Sequence, residues 1–314
     1  MGVRRETMMC RLLATTALAV LVTTCSPTDP AVEGGSTTTT AITSTTAAST
    51  TSSAAPTTST SSAEPAEPPG SLLVFGDWGS GTLPQGAVAG AMARFAEENE
   101  VHAILTTGDN FYSDDADFLM HPMQWAVEAG IPYWITWGNH DIVSENRIEA
   151  VDEAFGDPPR WARYEWGGID VVVLDSNQID SAEQGEFLVE TLADSSDPTI
   201  VVFHHPVFSC SIDRERPPVL ETWVPLFDDD VFLVLSGHDH VYERFESDEV
   251  TYIVSGGGGR PLNEVVECPP GHPQLMVGEA LHHFLVLEQV DGLEITAIDV
   301  NGATIDEVEL AALP

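Results

Sequence analysis

Five short apolar runs in this chain each lead into a polar segment that contains glycine, histidine or carboxylate residues. The runs cover residues 72–75, 103–105, 133–135, 200–203 and 231–235, and the polar segments after them begin at Gly76, Gly108, Gly138, His204 and Gly237. Such runs predict buried strands, and in open α/β sheets binding sites lie at the carboxyl ends of strands. His238 and His240 could direct two imidazole nitrogens into one small volume, although His-x-His pairs also occur in turns that bind no metal. The pattern therefore predicts a site built from five strand ends.

The remaining periodicity predicts helices beside the sheets and hairpins near the carboxyl terminus. Residues 84–98 show helical spacing of apolar side chains. Ser181, followed three residues later by Gln184, is a capping-box pattern and predicts a helix that begins there. Residues 284–310 alternate apolar and polar types around Asp-Gly and Asn-Gly dipeptides, which are typical of hairpin turns. We predict an α/β fold, a two-sheet β-sandwich flanked by helices, formed by a single domain over residues 71–314.

The amino-terminal segment has the features of an export signal followed by a linker. Arginines precede an apolar run over residues 12–22, which suits a signal peptide better than a membrane-spanning helix of about 20 residues. The sequence Val-Thr-Thr-Cys resembles a bacterial lipoprotein cleavage site, so Cys25 is a candidate cell-surface lipid anchor, with ordinary secretion or a retained anchor as alternatives. We divide the chain into a signal peptide over residues 1–24, a Ser/Thr/Pro-rich disordered linker over 25–70 and the folded domain over 71–314.

The charge balance of the chain is strongly acidic. The 314 residues carry a formal net charge of −39, with 50 carboxylate residues and 11 basic residues that are all arginine. A chain of this charge should repel nucleic acid and anionic lipid headgroups. We therefore expect no nucleic-acid partner, and membrane contact only through the lipid anchor. Solubility or a saline habitat would explain the same charge.

The ordered set of polar motifs resembles a known family. Gly-Asp at residue 76, Gly-Asp-x-x-Tyr at 108, Gly-Asn-His-Asp at 138, a histidine after a strand and Gly-His-x-His at 237 are similar to the motifs of calcineurin-like metallophosphoesterases. With its tyrosine, the second motif resembles that of the purple acid phosphatase branch of the family. The sequences Gly-Asp-Trp-Gly and Gly-Asp-Asn-Phe-Tyr resemble the motifs of its small, tartrate-resistant members. The resemblance covers roughly residues 71–260 and implies that residues 71–314 form a catalytic domain with the two-sheet fold.

The resemblance implies a dinuclear metal centre with a defined set of ligands. The implied ligands are Asp77, Asp109, Tyr112, Asn139, His204, His238 and His240. The first metal would be held by Asp77, Tyr112 and His240, and the second by Asn139, His204 and His238. Asp109 would bridge both ions. The mixed oxygen and nitrogen set suits iron, manganese or zinc, and the absence of thiolate argues against a closed structural zinc site.

Charge favours a ferric ion at the first position. Two carboxylates and a phenolate carry three negative charges, so two divalent ions would leave one positive charge, whereas a ferric and a divalent ion would leave two. The larger charge better suits a phosphate dianion, and Fe(III) can deprotonate a phenol whose free pKa is about 10. We therefore expect Fe(III) with Fe(II), Zn(II) or Mn(II).

The expected reaction is acid phosphatase-like hydrolysis of a small phosphate monoester by an exported enzyme. Two ions roughly 3.5 to 4 Å apart would clamp the phosphoryl oxygens and supply a metal-bound hydroxide for in-line attack on phosphorus. His140 would protonate the leaving alkoxide as general acid, or else serve as a structural partner of Asp141. Phosphodiesters or nucleotides are the alternative substrates. A catalytically silent, surface-tethered binding protein is the alternative outside enzymes.

Two further expectations concern side chains near this site. His205 adjoins His204 and should point to the opposite side if strand geometry continues, which indicates a structural or outer role. Cys10 lies in the signal segment and Cys25 at the lipid site, so Cys210 and Cys268 remain in an exported, disulfide-permissive compartment. We predict a disulfide between them, with two independent thiols as the alternative.

Overall fold

A computed structural model describes residues 69–211 and 217–310 of the chain. The predicted signal peptide, Cys25 and all but the last two residues of the predicted linker lie outside these ranges. Among the described residues, no helix has the length and apolar character needed to cross a membrane.

Thirteen strands and six α-helices lie in the described ranges. The strands are β1 Ser71–Phe75, β2 Val101–Thr106, β3 Tyr133–Trp134, β4 Ala162–Trp166, β5 Ile169–Val173, β6 Thr199–Val202, β7 Val231–Ser236, β8 Tyr242–Ser247, β9 Val250–Ser255, β10 Leu275–Glu279, β11 His283–Gln289, β12 Leu293–Asp299 and β13 Thr304–Leu310. The helices are α1 Leu83–Ala96, α2 Ala116–Met120, α3 Gln124–Ala129, α4 Glu145–Phe155, α5 Ala182–Asp194 and α6 Val219–Thr222. All five apolar runs that open the sequence analysis are therefore strands, namely β1, β2, β3, β6 and β7.

The strands form two mixed sheets, which confirms the predicted fold class. One sheet has six strands in the order β13-β12-β11-β1-β2-β3, and the other has seven in the order β10-β8-β9-β7-β6-β5-β4. Strands β1, β2 and β3 run parallel, as do β5, β6, β7 and β9. The predicted hairpins join β11 to β12 and β12 to β13 as antiparallel pairs.

Alternation along each central strand divides its side chains between two apolar layers. In β1, Leu72 and Val74 belong to the core between the sheets, whereas Leu73 and Phe75 pack in the layer that also contains residues of α1. Because side chains in a strand point alternately to opposite faces, a continuous apolar run is what a strand covered on both faces requires. The second sheet repeats the arrangement, with Leu188 of α5 in its outer layer.

The two helices predicted from the sequence, α1 and α5, both begin at residues whose side chains cap them. Helix α1 begins at Leu83, one residue before the predicted start, and ends two residues before the predicted end; Thr82 caps it by accepting the backbone N–H of Gln85. Ser181 caps α5 by accepting the N–H of Gln184, which confirms the predicted start of that helix. The described helices pack on the outer faces of the sheets and do not cover the carboxyl ends of the parallel strands, so a site can form there.

Candidate metal centre

Three residues predicted to bind metal have an unusual backbone conformation. Asp77, Asp109 and His238 have φ values of 56°, 51° and 69°. This left-handed region is uncommon for residues other than glycine, and such strain clusters at functional sites. Each of the three lies two or three residues after a strand, and strand ends of the two sheets meet there, since Oδ2 of Asp77 accepts the backbone N–H of His238 at 2.9 Å.

The glycines of the motifs leave room for neighbouring ligand residues. A Cβ on Gly108, whose own φ is 96°, would lie 2.5 Å from Nδ1 of His204. A Cβ on Gly138 would collide with the backbone nitrogen of Asp109. Glycine is thus required at these positions because two strand ends from different parts of the chain meet there.

The first group of predicted ligands converges around the hydroxyl of Tyr112. The hydroxyl oxygen lies 3.0 Å from Oδ1 of Asp77, 2.9 Å from Oδ2 of Asp109 and 3.5 Å from Nε2 of His240. His240 Nε2 is also 3.3 Å from Asp77 Oδ1. These four donor atoms surround one small volume, and both carboxylates are almost fully buried.

The second group converges around the amide oxygen of Asn139. This oxygen lies 3.1 Å from Nε2 of His204 and 3.0 Å from Nδ1 of His238, and the two imidazole nitrogens are 3.3 Å apart. The Nε2 atom of His204 is 3.3 Å from Oδ1 of Asp109. The structure therefore brings all seven predicted ligand residues into two adjoining groups.

Asp109 faces both groups with different oxygen atoms. Its Oδ2 meets Tyr112, whereas its Oδ1 meets His204 and accepts the backbone N–H of His140 at 2.7 Å. Burial favours the neutral carboxyl, but the charge and hydrogen bond of His204, together with His140, hold the pKa of Asp109 well below its usual range. A carboxylate in this position could bridge two ions.

The ring nitrogens of the histidines are oriented for metal binding. Nδ1 of His204 contacts the carbonyl of Thr107 at 2.9 Å, and Nδ1 of His240 contacts that of Pro261 at 2.8 Å. An N–H donated to a carbonyl leaves the other nitrogen with a lone pair, the usual arrangement of a metal-binding histidine.

The donor set fits cations in both groups. The Nε2 atom of His204 faces two oxygen acceptors, so either a proton or a cation must lie between them. Without an ion, burial disfavours the charged imidazole, but Asp109 and Asp77 raise the pKa of His204 to about 10. Tyr112 is likewise held neutral, since burial and the two carboxylates raise its pKa. Bound metal would replace both protons.

His140 lies beside the two groups without joining either one. Its ring centre is 4.5 Å from that of Tyr112. Burial lowers the pKa of His140, as does the charge of Arg260, against the opposing effect of Asp109. An imidazole in this position could exchange a proton with a bound molecule.

Asp141 stabilises the turn that begins at Gly138. His140 is not among the observed hydrogen-bond partners of the Asp141 side chain. The buried carboxylate accepts the backbone N–H groups of Gly138 and Phe111 and the side-chain amide of Asn110. Burial and the nearby charge of Asp109 raise the pKa of Asp141 to about 7. The alternative role considered for His140, as a structural partner of Asp141, has no such contact to support it.

The orientation expected for His205 assumed that strand geometry continues to this residue, and that condition is not met. Strand β6 ends at Val202, so strand alternation no longer applies at His205. Its ring centre lies 4.6 Å from that of His238, and its Nδ1 is 2.8 Å from the hydroxyl of Ser176. Ligand atoms of His204, His205 and His238 lie within 4.8 Å of one another. His205 therefore adjoins the second group.

Two arginines near the site were not singled out from the sequence. Arg147 pairs with Asp114 at 2.8 Å and donates to the carbonyls of Phe111 and His140, so it joins two motifs. The guanidinium of Arg260 lies 4.1 Å from the ring centre of Tyr112. The position of Arg260 in the sequence could have indicated its role. Arg260 follows strand β9, and β9 pairs in parallel with β7, whose carboxyl end leads into the motif of His238 and His240. Both segments therefore emerge at the same edge of the sheet.

Cys210 and Cys268 form the predicted disulfide. The bond joins the segment after β6 to the loop that precedes β10. It therefore ties together two segments that follow site residues.

Comparisons with known proteins agree with these motifs. A model of the calcineurin-like phosphoesterase family matches residues 70–242. Purple acid phosphatase 4 of Arabidopsis thaliana is 25% identical over 241 residues, which cover 60% of this chain and 68% of that protein. Purple acid phosphatase 3 of the same plant is also 25% identical over 241 residues, which cover 60% of this chain and 63% of that protein.

Solved structures share the fold at low sequence identity. The purple acid phosphatase PPD1 from yellow lupin seeds superposes with a TM-score of 0.62 and 18% identity, over 77% of this chain and 53% of that chain. An anchor protein of the inner membrane complex of Plasmodium gives a TM-score of 0.64 and 18% identity, over 77% of this chain and 88% of that chain. The fold alone thus accommodates both an enzyme and an anchor.

Proposed function

The chain belongs to the calcineurin-like phosphoesterase family of metal-dependent phosphoester hydrolases, and we propose that it hydrolyses small phosphate monoesters in the manner of an acid phosphatase. The observation that carries the proposal is the convergence of seven donor residues into two groups joined by Asp109. Phosphodiesters and nucleotides are the alternative substrates.

We assign the two groups to two metal ions. Asp77, Tyr112 and His240 would hold the first ion, Asn139, His204 and His238 the second, and Asp109 both. Such a pair supplies Lewis-acid polarisation of the phosphoryl group and activation of water. The protein contributes a rigid, buried cage, since both carboxylates are buried and the histidine rings are held by backbone carbonyls.

His140 is the proposed general acid. Its ring is half-buried beside Tyr112, and its backbone N–H is held by Asp109, so the imidazole is positioned at the edge of the cage. In this role it donates a proton to the oxygen of the departing alcohol. A neutral leaving group departs more readily than an alkoxide, which is the contribution of general acid catalysis.

The first metal is proposed to be Fe(III), paired with Fe(II), Zn(II) or Mn(II). Tyr112 supports this choice, because its hydroxyl faces two carboxylates that keep the phenol neutral in the absence of metal. A trivalent cation offers the strongest compensation for three anionic ligands.

We also propose that the protein is exported, anchored at the cell surface through Cys25 or otherwise secreted. The disulfide between Cys210 and Cys268 supports an oxidising compartment, since such bonds are rare in the reducing cytosol. The acidic charge of −39 supports a small substrate rather than nucleic acid.

Metal analysis combined with two ester assays tests the proposal. Purified protein should contain about two metal ions per chain and cleave p-nitrophenyl phosphate faster than bis-p-nitrophenyl phosphate. A higher rate on the diester would assign phosphodiesters instead. Bound metal without turnover of either ester would indicate a binding protein.

A further inference from the structure

Arg260 differs from the other arginines of the described ranges because its side chain has no hydrogen-bond acceptor. Six of the 11 arginines lie in residues 69–211 and 217–310. Four pair with carboxylates at 3.3 Å or less, namely Arg147, Arg160, Arg163 and Arg244. Arg94 donates to the carbonyl of Val300. In a chain with 50 carboxylate residues, an arginine without such a partner requires an explanation.

The side chain of Arg260 is held against the first metal group. Its guanidinium carbon lies 4.1 Å from the ring centre of Tyr112, and its buried Nε has no hydrogen-bond partner. A buried polar group without a partner is costly, and in a native structure it requires an explanation, such as a catalytic role or a water or ion at that place. The carboxylates of Asp77 and Asp109 adjoin the Tyr112 hydroxyl, but neither forms an ion pair with Arg260.

The backbone fixes this position independently of the side chain. The N–H of Arg260 donates to the carbonyl of Asp77 at 3.1 Å. His240 donates its N–H to the side chain of Asn263 at 2.8 Å and its ring contacts the carbonyl of Pro261. The loop that carries Arg260 is therefore attached to two predicted ligands, and replacing the side chain leaves these backbone contacts in place.

We propose that Arg260 binds phosphoryl oxygens of the substrate and selects dianionic phosphate monoesters over monoanionic diesters. This inference rests on the proposed function. The planar guanidinium presents several N–H donors in a geometry that matches phosphate oxygens, and such charge-assisted hydrogen bonds are the stronger ones. Because electrostatic attraction scales with the charge of the ligand, loss of this cation weakens binding of a dianion more than binding of a monoanion.

Substitution of Arg260 separates this role from a structural one. In the metal-loaded enzyme at pH 7, Arg260→Gln should lower kcat/KM for p-nitrophenyl phosphate by about 10²-fold, and for bis-p-nitrophenyl phosphate by less than about fivefold. Arg260→Lys keeps the charge and should recover most of the monoester preference. Arg94→Gln makes the same change in charge on α1 and should leave both rates within about twofold.

Inorganic phosphate gives a readout that does not depend on turnover. Calorimetric titration of the metal-loaded protein should show at least about tenfold weaker phosphate binding for Arg260→Gln, with unchanged metal content. Equal losses on monoester and diester, or unchanged phosphate affinity, would overturn the inference and leave Arg260 as a packing partner of Tyr112. If the wild-type protein cleaves no monoester, the proposed function fails, and the phosphate titration still decides whether Arg260 binds phosphoryl oxygens.

Discussion

Removal of the disulfide should cost this protein a large part of its stability. The perturbation is the double substitution Cys210→Ala and Cys268→Ala, which leaves no unpaired thiol in the catalytic domain. Cys210 is fully buried, its N–H donates to the carboxylate of Glu243 at 3.0 Å, and its carbonyl accepts the N–H of Val266 at 2.6 Å. These backbone bonds remain in the variant, so the comparison isolates the covalent cross-link.

The magnitude follows from the length of the closed loop. The two cysteines are 58 residues apart in sequence. For a loop of this size, the chain-entropy model gives about 4 kcal/mol of stabilisation at 25 °C. In a domain of about 250 residues, 1 kcal/mol shifts the melting temperature by about 2 to 4 °C, so we expect a decrease of about 8 to 16 °C.

Thermal unfolding of the metal-loaded wild-type and double-variant proteins, followed by circular dichroism, measures this decrease. Reductant should lower the melting temperature of the wild type towards that of the variant and leave the variant unchanged. Thiol titration of denatured wild-type protein should gain two thiols on reduction. A decrease below about 3 °C would refute the reasoning from loop entropy, and two reactive thiols at Cys210 and Cys268 before reduction would refute the bridge itself.

Three further predictions address the metal centre and the sheet. Aerobically purified, iron-loaded protein should absorb visible light through the Tyr112 phenolate, and Tyr112→Phe should abolish the band, whereas a colourless and fully active iron-free enzyme would contradict Fe(III). His140→Ala should lower kcat by about 10² to 10⁴ for esters with poor leaving groups but less for activated aryl esters, and equal losses would indicate a positioning role. Although burial opposes it, the hydrogen bonds from Arg244 and Tyr242 lower the pKa of Asp306, so its stabilising effect should be complete above pH about 4 and vanish as pH falls through the lowered pKa. The destabilisation caused by Asp306→Asn, measured by urea unfolding, should accordingly shrink as pH falls below about 4, and a constant difference across pH would contradict it.

Much of the fold could be predicted because its signals are local. The apolar runs that became β1, β2, β3, β6 and β7 are buried on both faces, and such strands need no partner to be recognised in sequence. The start of α5 depended on the contact between Ser181 and Gln184, three residues apart. Strands β4, β8 and β10 were not predicted, since charged residues such as Arg163 in β4 and Glu243 in β8 interrupt their apolar character.

The candidate site was likewise predictable where its signals are local in sequence and not where they depend on distant residues. Six of its seven predicted ligand residues lie within motifs of two to five residues, the seventh is the single histidine His204 after a strand, and the structure brings all seven together. The orientation of His205 could not be predicted because β6 ends at Val202, three residues before it, so strand alternation no longer applies there. Arg260 carries no motif, and its importance depends on Tyr112, which is 148 residues away in sequence.

The sequence by itself determined the five strands that lead into the site and the donor atoms available at each of their ends, because both depend on residues that are neighbours in the chain. Only the tertiary structure decided which donors share one volume, which oxygen of Asp109 faces which group, and that Arg260 lies over Tyr112. The physical reason is that two sheets pack so that strand ends far apart in sequence meet. The distances and charges that govern catalysis arise between those ends.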